Sequence, residues 1–152
     1  MDYIFGMEEE EVDLPGNTVH LLDMGELISI GTYTEKVSAG NGNTIVTGHK
    51  VSKLYPTTKI SSKSTYAARI TGNSMEPRFI DNDIIYVNDK QIPVHGDIGV
   101  FTYNGETYCK EYYAIGGVEK LISLNDSYKP IIIDKTLRFE KQGVVIGKFH
   151  AD

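Results

Sequence analysis

The chain has 152 residues, 40% of them hydrophobic and 24% charged, and a formal charge of −6. That length suits one domain, which buries about 68–70% of its unfolded surface and needs no staples. The acidic balance excludes a chain that grips nucleic acid by itself, because phosphate binding needs a basic face, and the single Cys109 excludes an internal disulfide.

Residues 1–26 read as an irregular N-terminal arm or linker. They hold the turn Pro15-Gly16-Asn17 and the acidic run Glu8-Glu9-Glu10-Glu11, a solvated segment by composition. Leu27 to Thr34 has strand composition, with Ile28, Ile30 and Thr32 on one face. Ser38-Ala39-Gly40-Asn41-Gly42-Asn43 follows as an exposed loop, and by itself it is a plain hairpin turn. Val51 to Pro56 and Thr65 to Ile70 read as strands joined by the polar Ser61-Ser62-Lys63-Ser64. Asp83 to Val87 is a short apolar strand, and Ile98 to Tyr103 is another.

Asn104-Gly105 predicts a type I′ hairpin turn into Thr107 to Ala114, and Gly116-Gly117 a second turn into Val118 to Leu124. Ile131 to Ile133 and Gly143 to Phe149 complete the series. Short strands at this spacing imply an all-β sandwich or barrel. No repeat, helix-turn-helix pattern or membrane-length apolar stretch is visible, and the N-terminus lacks a signal-peptide pattern. The expected location is the cytoplasm. A reducing compartment agrees with the lone thiol.

Two residues suggest chemistry. Ser74 lies in the turn Gly72-Asn73-Ser74-Met75-Glu76-Pro77, where a helix cannot comfortably run through Glu76 into Pro77. A serine hydroxyl is a poor nucleophile until a positioned base takes its proton. Lys110 sits in Tyr108-Cys109-Lys110-Glu111-Tyr112-Tyr113, sharing one strand face with Tyr108 and Tyr112. Facing inward, it would be held neutral by burial and could act as that base; facing outward, it would be an ordinary solvated lysine. The bland readings are a plain Gly-Asn-Ser turn and a surface lysine. His95-Gly96-Asp97 raises a catalytic triad, but Asp97 reads better as a turn cap. Cys109 reads as a small core residue. No residue set has metal-ligand spacing and no phosphate loop is present, so no metal or cofactor is expected.

These pieces together, with Asp81-Asn82-Asp83, His95-Gly96-Asp97-Ile98, Leu124-Asn125 and Gly143-Val144-Val145-Ile146-Gly147, follow the order seen in LexA-like, S24-type self-cleaving proteins. That family includes LexA, lambdoid-phage repressors and the UmuD mutagenesis protein. The resemblance runs from about Leu27 to Phe149, with the Ser-Met dipeptide and the later lysine as its specific motifs. It implies a mostly-β fold of short, strongly bent antiparallel strands, related to that of signal peptidases. It implies Ser74 as nucleophile and Lys110 as general base, with an oxyanion hole from the backbone N–H groups of Asn73 and Ser74. The scissile bond would be Ala39–Gly40, within a cleavage loop over 35–48, with Val37 helping the loop to be recognised.

By the same resemblance, residues 27–152 form an autoproteolytic and dimerisation domain. The chain would act as a homodimer whose cleavage is stimulated by activated RecA–single-stranded-DNA filaments. Operator DNA would be bound only through a helix-turn-helix domain that this sequence lacks. We read the chain as the C-terminal part of a longer repressor. The alternatives are a UmuD-like subunit of an error-prone polymerase and an oligomerisation module that no longer cuts. A signal-peptidase relative is disfavoured by the missing membrane segment.

Overall fold

The computed structural model describes the backbone of residues 3–4, 7–12, 26–35, 44–45 and 47–151. Twelve strands and one 3-10 turn make up the described chain: β1 (Tyr3–Ile4), β2 (Met7–Val12), β3 (Leu27–Glu35), β4 (Thr44–Ile45), β5 (Thr47–Pro56), the 3-10 turn (Ser61–Lys63), β6 (Tyr66–Thr71), β7 (Ile84–Asn88), β8 (Ile98–Tyr103), β9 (Glu106–Ile115), β10 (Val118–Ile122), β11 (Ile131–Ile132) and β12 (Phe139–Ala151). The protein is mostly β, as its alternating patterns and turn residues require.

Both glycine-containing turns form where expected. Asn104 and Gly105 take φ of 50° and 84°, the left-handed pair that a type I′ turn needs, and they set the β8–β9 register from Tyr103↔Glu106 onward. Gly116-Gly117 does the same between β9 and β10, which pair from Ile115↔Val118. Pairing runs in a closed circuit: β12 joins β7, then β6, β4, β9 and β8, and β8 returns to β12. β12 can serve both sides because it switches partners along its length, with β8 against its first part and β7 against its second.

The switch falls at Gly143, where the register shifts against β8 and φ is 149°. A Cβ there would stand 2.7 Å from Val87 Cγ1 and 3.0 Å from the Asn88 carbonyl oxygen. Those neighbours belong to a packed strand and have little room to move. Gly143→Ala is expected to cost about 2 kcal/mol or more of stability, read as a lowered urea midpoint at unchanged slope.

Two features depart from the sequence reading. Two pairings are parallel, β12 with β2 and β3 with β6, whereas local patterning predicts antiparallel neighbours. Residues 1–26, expected to be irregular, contain β1 and β2, and β2 carries the acidic run Glu8 to Glu11. Its backbone pairs with β12 from Gly147↔Glu8 to Ala151↔Val12. A strand recruited by the edge of another needs no apolar alternation of its own, so periodicity could not reveal it.

The largest core cluster joins Met75 and Phe79 to residues of β6, β7, β8, β9 and β12, including Ile70, Ile85, Val100 and Cys109. Cys109 is fully buried, and desolvation pushes its thiol up to about 12, as befits a core residue and not a nucleophile. A second cluster places Ile30 of β3 against Tyr55, Ala67, Tyr86 and Phe149. A third gathers Phe101, Tyr108, Tyr112, Leu121 and Ile133.

Candidate active site

Ser74 follows β6 in a turn whose entry is fixed from both sides. Gly72 takes a φ of 91° and its N–H donates to Asp81 Oδ1 at 2.8 Å. Met75, fully buried, drops into the main core and pins the residue beside it. The Phe79 N–H donates to the Met75 carbonyl at 3.0 Å, closing a compact turn in place of a helix. The Ser-Met pair therefore joins an anchor to a chemically useful hydroxyl.

Lys110 comes from the middle of β9. There the buried Cys109 faces the main core, while Tyr108 and Tyr112 join the third cluster on the other side. Lys110 is only 1% exposed and Ser74 is fully buried. The Lys110 Nζ donates to Ser74 Oγ at 2.6 Å and to Ser123 Oγ at 3.0 Å. Of the two orientations open to the sequence, the inward one holds. No carboxylate accompanies the amine in these contacts, and desolvation lowers its pKa to about 8. The tyrosine rings of residues 108 and 128 lie 6.0 and 5.8 Å from Nζ and add weak cation–π attraction at most.

The loop after β10 clamps the serine turn. The Asn125 N–H donates to the Ser74 carbonyl at 2.9 Å, and Asn125 Nδ2 donates to the Asn73 carbonyl at 3.1 Å. The Tyr128 hydroxyl bonds Asn73 Oδ1. Because a peptide unit is planar, fixing the Asn73 carbonyl also fixes the Ser74 N–H on its opposite side. A cleft of about 400 Å³ opens beside the amine, lined by Lys110, Ser123, Ser127, Tyr128, Lys129, Pro130 and Ile131.

The sequence reading missed Ser123, Asn125 as a clamp, and Tyr128. Ser123 was within reach of it. A two-residue turn at Gly116-Gly117 sets the β9–β10 register, which pairs Ile122 with Glu111, and one further step brings Ser123 opposite Lys110. His95 and Asp97 are spent locally: His95 Nδ1 accepts from the Ala114 N–H at 3.1 Å, and Asp97 Oδ2 caps the Val94 N–H at 2.9 Å. Among the described residues no cluster of His, Cys, Asp or Glu could hold a metal ion, and no helix is long and apolar enough to cross a membrane.

Val37, Ala39 and Gly40 lie outside the described residues. The described ends of the expected loop 35–48 are strands. Glu35 pairs with Thr47, and Thr44 pairs with both Thr71 and Tyr108. β4, which starts at Thr44, thus lies in the sheet between the strand that leads to Ser74 and the strand that carries Lys110.

A mostly-β domain that buries a lysine amine against a serine hydroxyl has the make-up of a serine peptidase. Residues 31–146 match the Peptidase S24-like family model, and the chain belongs to that family. It is 33% identical over 125 residues to the LexA repressor of Carboxydothermus hydrogenoformans, covering 80% of this chain and 60% of the relative. It is 28% identical over 116 residues to the LexA repressor of Haemophilus ducreyi, covering 74% of this chain and 54% of that protein. A LexA repressor of Clostridium perfringens is 31% identical over 70 residues, 45% of this chain and 34% of the relative. The chain thus spans at most 60% of the length of these relatives.

Proposed function

We propose that the chain is the C-terminal domain of a LexA-like repressor, one that cuts its own Ala39–Gly40 bond and holds two copies together. The observation that carries this reading is the 2.6 Å hydrogen bond from the Lys110 amine to the Ser74 hydroxyl, both of them buried. Neutral Lys110 takes the Ser74 proton as Oγ attacks the Ala39 carbonyl carbon. The oxyanion forms against the backbone N–H groups of Ser74 and Asn73. Lys110, now charged, returns that proton to the Gly40 nitrogen, and the C–N bond breaks. Water, deprotonated by Lys110, then hydrolyses the ester at Ser74 and frees the Ala39 carboxyl.

Intramolecular attack is supported by chain length. From Thr44 back to Gly40 is four residues, a reach of up to about 14 Å, and Ser74 is three residues past Thr71, the partner of Thr44. Val37 would seat the loop. Activated RecA–single-stranded-DNA filaments would act by favouring the docked loop, a population shift. Operator DNA would be held by a helix-turn-helix domain outside this chain.

Dimerisation is constrained by the sheet. At Gly147 to Phe149, β12 carries β7 on one edge and β2 on the other. Two copies would therefore meet through side chains of β12, or pair edge to edge only after β2 leaves.

Mass spectrometry of the purified chain, incubated with and without activated RecA filaments, tests the reading. Fragments 1–39 and 40–152 are expected, growing with time and faster with the filament. A chain intact under both conditions would favour the oligomerisation module instead. Ser123→Ala should slow cutting about 10-fold without abolishing it, because the amine loses one of the two oxygens that orient it. Single-turnover rates across pH would check this.

A further inference from the structure

We propose that cutting between Ala39 and Gly40 does not by itself release the N-terminal piece, which stays bound through β2 and β3 to strands of the piece 40–152. The inference rests on the cleavage reading above, and its physical basis is independent of the chemistry. The bond falls after β3, while both strands that hold β3 lie beyond it. β3 pairs with β5 from Leu27↔Pro56 to Glu35↔Thr47 and runs parallel to β6 at Thr32↔Ala67 and Tyr33↔Ala68. Below the start of β3, the Thr57 N–H donates to the Glu26 carbonyl at 2.9 Å. Further back, β2 pairs with β12.

The side chains agree. Ile30 is 4% exposed and packs into the second core cluster. Thr32, fully buried, shares a 2.8 Å hydrogen bond with the Tyr55 hydroxyl. The Tyr33 ring meets Tyr66 edge-on at 5.5 Å. Departure of the piece would break these contacts, open a core cluster to water and unpair the backbone of β5. Strand insertion of this kind holds peptides by main-chain hydrogen bonds, with alternate side chains seated in pockets. Cleavage then converts a covalent link into a reversible one, and separation becomes dependent on dilution. Whatever is attached to the N-terminal piece leaves at the rate of strand release, not at the rate of cutting.

The test uses a Ser74→Ala chain with a recognition sequence for an added protease placed within 36–43, so that the nick owes nothing to self-cleavage. After nicking, both pieces are expected in one size-exclusion peak in native buffer and in two peaks in urea, with masses assigned to each. Adding Ile30→Ala should weaken retention about 30-fold or more, read as the dilution at which the pieces part. Ser29→Ala, at an exposed position of the same strand, should leave it unchanged. A small piece that elutes apart from the large one in native buffer, whether the large one stays folded or aggregates, would overturn the proposal. Retention in the nicked chain beside a parent that never cuts itself would uphold it and sink the cleavage reading instead.

Discussion

Ser74→Ala and Lys110→Ala are each expected to lower the first-order rate of self-cleavage by roughly 10⁴ or more, because removing a member of a catalytic unit costs most of what the unit supplies. In the parent the rate should climb with pH and level off above about 8, the value to which burial lowers the Lys110 amine. Only the neutral amine can accept the serine proton, so the rate follows its deprotonated fraction. At pH 7 that fraction is about one tenth, some 300-fold more than an ordinary lysine would offer. Desolvation of the amine is thus worth more than two decades of rate at neutral pH. The alkaline half of the profile should be nearly flat. A rate still rising tenfold per pH unit between 9 and 10 would mean that Lys110 titrates as an ordinary lysine, and the burial argument would be wrong. Fragment masses followed over time at fixed pH values provide the measurement.

The same burial should appear in stability. The folded pKa of Lys110 lies below its unfolded value, so below about pH 8 folding must either charge a buried amine or give up its proton. Between about 8 and 10.5 the unfolded chain binds more protons than the folded one at this site, so the contribution of Lys110 to stability rises with pH. Across that window the gain is on the order of 3 kcal/mol. Cys109 works against it. Its folded pKa is raised to about 12, so the stability it contributes is whole below about 9, where the unfolded thiol starts to ionise, and is lost as pH climbs toward the folded value. Tyr66, Tyr108 and Tyr112, all raised mainly by desolvation, oppose it further above pH 10.

The raw pH dependence of the parent is therefore a sum of opposing slopes. Subtracting the urea-unfolding free energies of Lys110→Met removes the shared groups and leaves the lysine. The difference between the two chains should move in the parent's favour by about 3 kcal/mol from pH 7.5 to 10.5. A difference independent of pH would show that the amine is not desolvated.

How much of this was legible beforehand divides along physical lines. Strand positions were readable because alternation and turn residues are local properties. Asn104-Gly105 and Gly116-Gly117 announce their turns, and the β8–β9 and β9–β10 registers follow from them. The same local rules would have brought Ser123 opposite Lys110 had the register been counted through. Strand β2 was not readable, since its partner β12 lies far along the chain and its acidic composition argues against strand, and β1 pairs only with β2. The pieces of chemistry, Ser74 in a tight turn and Lys110 among tyrosines, stood out by residue type and family order.

By itself, then, the sequence determined the class of fold and the family to which the chain belongs, and it singled out Ser74 and Lys110 as the candidate pair. Each depends on short-range patterns or on motif order along the chain. Only the tertiary structure decided that Lys110 faces inward, that its amine lies 2.6 Å from Ser74 Oγ with Ser123 as second partner, and that Asn125 and Tyr128 clamp the serine turn. It also decided that β3 and β2, upstream of the expected cut, are held by strands downstream of it. These facts join residues tens of positions apart, and the energies that choose them are desolvation and packing against partners that no local window contains.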